Sequence, residues 1–416
     1  MLLKAYRERK AALSAAFLFS LALTSGCASY QVKVREARDA LHNEDPAKAT
    51  RLLEPLAHKP GDDQLVYLLD YATALQQARN FKESAEAYQE AAKIADIQDY
   101  HSISKNVASL LLSEEMVQYK GDDYEKVLIH AMNAVNYLEL GNLDEALVET
   151  RQLNTMLYKF KYEAKKNYEQ NPFAFYLSAL IWEANHDYDD AYLAYKSAYE
   201  VAPNYPPLRE DLVRSSIRAQ RPEETAKWRS MFPEVKPRPE WSNKSLGEIV
   251  LIFEQGWGPR KYPRPESPRF PILIPTSSST QVARLSVGDV AVNSNSIFSV
   301  TDTAIKTLND DYGRLVAMRV VGIGVKAVVA DQIAQRDKGL GAIAFLAMNL
   351  ADRADLRQWS TLPQTFQIAR ISALPGHYKV RIDGVDYGNN LSHELTERDI
   401  DVKPGKKAFI SWRSVR

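Results

Sequence analysis

The sequence predicts an α+β, multidomain chain: an N-terminal α-helical repeat array followed by a β-rich, sandwich-like domain with an inserted helical pair. Three observations carry this. From Tyr30 to about Arg229 the chain is rich in Ala, Leu, Tyr and Glu, and one helical pattern recurs. Pro233, Pro237 and Pro239 then mark a linker. Beyond it, short β-branched and aromatic runs alternate with Gly and Pro, interrupted by a long stretch of small apolar residues. The expected divisions are a leader at 1–26, a repeat domain at 27–230, a linker at 231–244 and a β-rich domain at 245–416, with helices at about 302–356.

The leader comes first. Lys4, Arg7, Arg9 and Lys10 precede an apolar run from Ala11 to Leu23, and Ser25 and Gly26 then lead to Cys27, the single cysteine. A basic start, a short apolar run and small residues define an export signal. The run is shorter than the roughly 20 residues of a spanning helix. Leu23-Thr24-Ser25-Gly26-Cys27 resembles a bacterial lipobox. That resemblance implies cleavage between Gly26 and Cys27 and acylation of Cys27, and two or more acyl chains anchor a protein stably. Ala28 and Ser29 follow, without the aspartate that signals inner-membrane retention in enterobacteria, so the expected site is the outer membrane, facing the periplasm.

Loss of residues 1–26 removes Lys4, Arg7, Arg9, Lys10 and Glu8, so 53 basic and 53 acidic side chains become 49 and 52, net −3. A near-neutral balance offers no electrostatic case for a nucleic-acid partner. With Cys27 acylated, no thiol is left for a disulfide, a zinc site or a nucleophile.

The repeat pattern is a polar turn, an aromatic or leucine, and then small residues at fixed spacing. Clear copies are Arg79–Ala91, Gly141–Thr150 and His186–Ala198, with a fainter one at Glu44–Leu53. Small residues stand at Ala49, Ser84, Ala146 and Ala191, where two helices must approach closely; Tyr88 and Tyr195, then Ala91 and Ala198, extend the same face. Preceding segments supply Ala72, Ala134 and Ala179. These copies resemble the second helices of tetratricopeptide repeats. Their intervals of 35, 62 and 45 residues depart from the family period of 34. The longer intervals leave room for an extra helix around Ser102–Gln118 and a lengthened helix through Lys159–Tyr168. Stacked hairpins present a concave, peptide-binding surface. Its candidate lining, from first helices, is Val66, Leu69, Leu128, Phe173 and Tyr176, each of which could equally serve as core.

In the β-rich domain, strands are expected at Glu248–Glu254, Phe270–Pro275, Val282–Val292, Thr365–Ile371, Tyr378–Ile382 and Ala408–Arg413, closing as a small antiparallel sandwich. Asp302 or Thr303 can cap a helix running towards Gln335, and Gly339–Leu356 forms a second. Arg319, Lys326 and Asp331 argue against membrane insertion, which leaves a buried or oligomer-forming helical hairpin. Trp257–Arg269, rich in aromatic and basic residues, is the candidate contact loop, through Trp257, Arg260, Tyr262 and Arg264.

No catalytic constellation emerges. There is no Gly-X-Ser-X-Gly, and His393-Glu394 has no second histidine at helical spacing. Asp187, Asp189 and Asp190 sit in a repeat turn without the glycine and distal glutamate of a calcium loop. Gly322–Ala327 lies in a helical run, so its likeness to half a dinucleotide fingerprint is discarded. The expectation is a non-enzyme with no metal and no cofactor.

Gly247-Glu248, Glu254-Gln255-Gly256, Trp359-Ser360-Thr361-Leu362-Pro363, Phe366–Arg370 and Leu374-Pro375-Gly376-His377-Tyr378 together carry a wider resemblance. With the lipobox, they resemble a family of bacterial lipoproteins with tetratricopeptide-like repeats ahead of a β domain. The resemblance implies a cell-envelope role and no reaction. The expected function is a scaffold that binds protein partners through its repeats and the membrane through its lipid. A peptidoglycan-associated or wall-synthase-regulating module is the alternative, and a wall hydrolase the enzyme alternative.

Overall fold

The computed structural model describes residues 30–101, 118–163, 170–335 and 353–416. Cys27, Gly26 and the leader lie outside them, as does nearly all of the segment expected to hold a helix at Ser102–Gln118. Within the described residues the N-terminal part is a tetratricopeptide-like array of five helical hairpins. These are α1 (Tyr30–His42) with α2 (Pro46–Ala57), α3 (Gln64–Gln77) with α4 (Phe81–His101), α5 (Asp123–Glu139) with α6 (Leu143–Tyr158), α7 (Pro172–Ala184) with α8 (Tyr188–Val201), and α9 (Pro207–Arg218) with α10 (Pro222–Met231). Past α6 the chain continues as a π-helical turn, Lys159–Glu163; the rest of the extension expected there lies outside the described residues.

Every hairpin turns on the same device. One residue takes a left-handed conformation: Glu44, Arg79, Gly141, His186 or Gln220, with φ of 60°, 63°, 69°, 67° and 53°. The next N–H donates back to the carbonyl five residues earlier: Asp45 to Ala40, Asn80 to Leu75, Asn142 to Tyr137, Asp187 to Trp182 and Arg221 to Ser216, at 2.8–3.0 Å. That is a Schellman closure, which satisfies the carbonyls a helix end leaves open. The small positions Ala49, Ser84, Ala146 and Ala191 are buried where the hairpins meet. The fifth hairpin was not anticipated from sequence. Its small position is Thr225, bonded to Ser216 at 3.0 Å, and its first helix buries Asp211, Arg214, Ser215 and Ser216 beside Leu208, Leu212 and Val213.

After a short 3-10 turn at Pro239–Trp241, the chain enters two packed sheets and a ribbon. Strands β1 (Gly247–Gln255), β6 (Asn295–Ser299), β7 (Thr365–Ala373) and β10 (Lys407–Ser414) form one sheet in the order β10-β1-β7-β6. β4 (Val282–Val287), β5 (Val290–Asn293), β8 (Gly376–Val385) and β9 (Leu391–Val402) form the other, in the order β5-β4-β8-β9. β2 (Arg260–Arg264) and β3 (Ser267–Ile274) make the ribbon. The expected all-antiparallel closure is corrected in one place: β1 and β10 run parallel, with Glu248 beside Lys407. β10 reaches its place by crossing from β9 in the other sheet through the Pro404-Gly405 turn, so no hairpin dictates its direction.

The first sheet is buried on both faces. Ile249, Leu251 and Phe253 of β1, with Ala369 and Ile371 of β7, join the sandwich core. Their alternates, Val250, Ile252, Phe366 and Ile368, join the core of the helical array. The period-two alternation of a strand divides these residues between two cores.

α11 (Val300–Ala334) leaves the sheet after β6. Ser299, not Asp302 or Thr303, receives the opening N–H: its Oγ accepts from Asp302 N at 3.1 Å. The expected second helix at Gly339–Leu356 falls mostly outside the described residues, and Arg353–Leu356 is not helical. Among the described residues no helix is long and apolar enough to cross a membrane.

The shared turn device makes a direct prediction. A Cβ on Gly141 would meet no atom, so Gly141→Ala costs only left-handed backbone strain, about 1 kcal/mol. Gln220→Gly relieves the same strain and raises stability by up to about 1 kcal/mol. Urea unfolding of the two variants checks the opposite signs.

Candidate functional site

The site is the inner face of the array, built by the first helix of each hairpin. It is filled by the chain's own residues 355–366 and by the outer face of the first sheet. Trp359 is 1% exposed. Its indole N–H donates to Thr73 Oγ1 at 2.9 Å, its ring lies against Tyr88 with centroids 5.6 Å apart, and its backbone N–H donates to Glu125 Oε1 at 2.8 Å. Asp70, fully buried in α3, takes the next residues. It accepts from Ser360 Oγ at 3.1 Å, Thr361 N at 3.0 Å and Thr361 Oγ1 at 2.8 Å, and also from Tyr30 Oη. Arg38 of α1 donates to the Ser360 carbonyl. Arg357 enters ahead of these residues, paired to Asp63 at 2.9 Å and Asp355 at 2.7 Å.

Burial pushes the Asp70 carboxyl up, while hydrogen bonds from Tyr30, Thr361 and Ser360 and the charge of Arg38 pull it back. Burial, with the negative charge of Asp122, pushes Glu125 up to about 7 against the pull of Lys261.

At the far end of the face the contacts become ionic. Phe173 stacks on Phe366 of β7 at 4.2 Å. Tyr176 donates to Asp211 at 2.6 Å and accepts from Arg370 at 3.0 Å. Arg370 also pairs with Asp211 at 2.6 Å and Glu248 at 2.7 Å. Glu183, 3% exposed, meets Arg214, Arg218 and Lys407. Its burial opposes ionisation, but Arg214, Lys407, Arg370 and Arg218 together hold it well below the usual carboxylate range. Such a cluster adds little net stability, yet removing one member strands the others.

The candidate groove residues are therefore corrected as a free partner surface. Val66, Leu69, Leu128, Phe173 and Tyr176 all have no exposed surface. Phe173 and Tyr176 do meet a strand, but it is the chain's own β7, since the first sheet would otherwise expose Val250, Ile252, Phe366 and Ile368. The candidate contact loop is corrected too. Trp257 is buried between the Arg38 and Arg413 guanidinium groups, at 4.3 and 5.3 Å from its ring. Arg260 stacks on Tyr262 and Arg264 on Tyr312. Arg260–Arg264 is strand β2, paired with β3, and of the four candidates only Tyr262 is exposed.

The residues that seat the segment, Asp70, Thr73, Glu125 and Arg38, were missed. One signal was present: Asp70 stands alone in the apolar run Leu65-Val66-Tyr67-Leu68-Leu69, as a buried and partnered carboxylate would. Among the described residues, no group of three or more His, Cys, Asp or Glu side chains could hold a metal ion.

No family model matches the chain, and no curated protein matches it. Among solved structures, residues 41 to the end of MamA from Desulfovibrio magneticus RS-1 are 13% identical, covering 49% of this chain and 93% of that one, with a TM-score of 0.34. A Podosopora anserina putative kinesin light chain with nearly identical TPR-like repeats has the same identity, coverage and TM-score.

Two predictions follow from this geometry. Asp70→Ala removes the acceptor of four donors and the charge facing Arg38, and Trp359→Ala empties a packed site; each lowers stability by about 3 kcal/mol or more. Because array and sheet share a core, differential scanning calorimetry should show one transition shifted down, and separate melting of the two parts would contradict the shared core. For Glu125, the folded carboxyl near 7 lies above its ordinary 4.5. The folded state holds a proton that the unfolded state has released, so stability falls as pH rises from about 5 to 7 and the loss is complete above that range. Glu125→Gln should flatten that part of the pH–stability curve, as measured by urea unfolding.

Proposed function

We propose that this chain is a lipid-anchored scaffold of the bacterial cell envelope, held through Cys27 at the outer membrane and facing the periplasm. One observation supports the scaffold reading. The first helix of every hairpin meets the chain's own C-terminal part, with Trp359–Thr361 seated as an extended bound peptide would be. The array works as an internal clamp that fixes the sandwich, giving one rigid unit in place of two tethered parts.

Partner contact then falls to surfaces that the clamp leaves open. The second helices expose Val148 of α6 and Leu193 of α8. The outer sheet exposes a charged row on β8 and β9, including Lys379 beside Glu397. Protein partners are placed on these surfaces, and the inner face is reserved for the chain itself. The reading includes no catalytic step and no cofactor.

The test is photo-crosslinking in cells from probes at Leu193 and Lys379, with Val66 and Leu128 as inner-face controls. The expected result is a set of envelope proteins captured from the outer positions, diminished in Cys27→Ala, with nothing captured from the controls. Capture of proteins from Val66 or Leu128 would mean that the groove opens to partners. Recovery of peptidoglycan alone, or release of muropeptides by the purified protein, would replace the scaffold with a wall-directed function.

A further inference from the structure

An acylated Cys27 would hold one end of the chain at a membrane, and the fold decides which face of the body comes with it. Cys27 stands three residues before Tyr30, so the two lie within about 11 Å of each other even at full extension. Tyr30 opens α1 and is fixed in the body: its side chain is buried, and its hydroxyl donates to the Gln358 carbonyl at 2.8 Å. Next to it, Gln31 Nε2 donates to the Lys261 carbonyl of β2 at 2.6 Å. The first turn of α1 and the β2–β3 ribbon are therefore neighbours on one short leash.

The ribbon has two unlike faces. Lys261 pairs across it with Leu273, and both are buried against the body. The alternate pairs, Arg260 with Ile274 and Tyr262 with Ile272, form the outer face. Tyr262 is 38% exposed and Ile274 47%, and the Arg260 guanidinium lies 5.6 Å from the Tyr262 ring centre. On the first turns of α1, Val32 is 51% exposed and Arg35 is exposed too. Arg264 and Arg269 add to the charge of Arg260, against Glu266 as the one acid of the ribbon. Among the described residues no carboxylate pairs with these three arginines. Neighbouring acids are already answered, Asp122 by Lys261 and both Asp63 and Asp355 by Arg357.

We propose that the outer face of the β2–β3 ribbon, with the start of α1, docks on anionic phospholipid headgroups of the membrane that holds Cys27. The proposal rests on the lipid-anchor reading and adds an orientation to it. Arginine brings its charge to phosphate while its stem lies along apolar surface. Tyrosine favours the level between headgroup and acyl chain. The ribbon has only two strands, and open strand edges do not enter hydrocarbon, so it rests at headgroup depth. Two contacts, the acyl chains and the ribbon, then fix how the body stands on the membrane.

The test uses the full-length protein purified from membranes and reconstituted into vesicles of phosphatidylethanolamine and phosphatidylglycerol that carry a headgroup-level nitroxide. Mass spectrometry of the Cys27 peptide first reads acylation. A fluorophore is then attached at Ile274→Cys, or at Leu193→Cys of α8 as the control. Quenching at position 274 should exceed that at position 193 by at least about 5-fold. Arg260→Gln combined with Arg269→Gln, at an unchanged melting temperature, should lower the docked-to-free ratio about 5-fold for each charge removed. In cells, a photo-crosslinker at Tyr262 should capture phospholipid. An unmodified Cys27 would overturn the anchor reading and this one with it. An acylated Cys27 with equal quenching at positions 274 and 193 would overturn the docking alone. Equal quenching in phosphatidylcholine vesicles, no effect of the arginine changes, or capture of protein in place of lipid at Tyr262 would also overturn it.

Discussion

The carboxylate of Asp70 is the interaction on which the architecture depends. It sits in the middle of α3, without exposed surface, and accepts the backbone N–H of Thr361 and the hydroxyls of Ser360, Thr361 and Tyr30. A buried carboxylate is tolerated only when its oxygens are filled. Here a segment nearly 300 residues away fills them. That mutual need locks the extended Trp359–Thr361 segment against the array, and the strand that follows, β7, enters in register for pairing with β1.

From this seating follows the two-faced sheet. With β7 placed, Phe366 and Ile368 meet the helices while Ala369 and Ile371 meet the second sheet. Polar residues on the helical side are then confined, and they answer one another: Glu248, Arg370 and Lys407 from the sheet with Glu183, Asp211, Arg214 and Arg218 from α7 and α9. The short motifs that carry the family resemblance have physical roles within this arrangement. Gly247 stands where a Cβ would lie 2.5 Å from Val402 and 2.6 Å from the Lys403 carbonyl. Gln255 bonds the Thr280 carbonyl at 3.0 Å, and Gly256 turns at a φ of 64°. Trp359-Ser360-Thr361 is the seated peptide itself.

The repeat array was legible because its signals are local. Small residues at Ala49, Ser84, Ala146 and Ala191 mark each helix crossing, and their intervals of 35, 62 and 45 residues match those of the left-handed turn positions Glu44, Arg79, Gly141 and His186. The fifth hairpin escaped because α9 buries the charged Asp211 and Arg214 alongside Leu208, Leu212 and Val213, and those charges make sense only beside Arg370 and Glu183. Strand β9 escaped for a similar reason: Leu391–Val402 is charged, and pairing with β8 defines it as an edge strand. The groove candidates Phe173 and Tyr176 were found at the right helices and given the wrong occupant.

Periodicity, turn residues and the linker prolines are properties of neighbouring residues, so they determined four of the five helical hairpins among the described residues, most of the strands and the change of character near residue 231. The packing of one part on the other depends on side chains hundreds of positions apart, such as Asp70 with Thr361 and Tyr176 with Arg370. No local pattern encodes such a pairing, because either member alone reads as an ordinary polar residue. Only the folded chain settled that the inner face of the array is closed by the protein's own sheet.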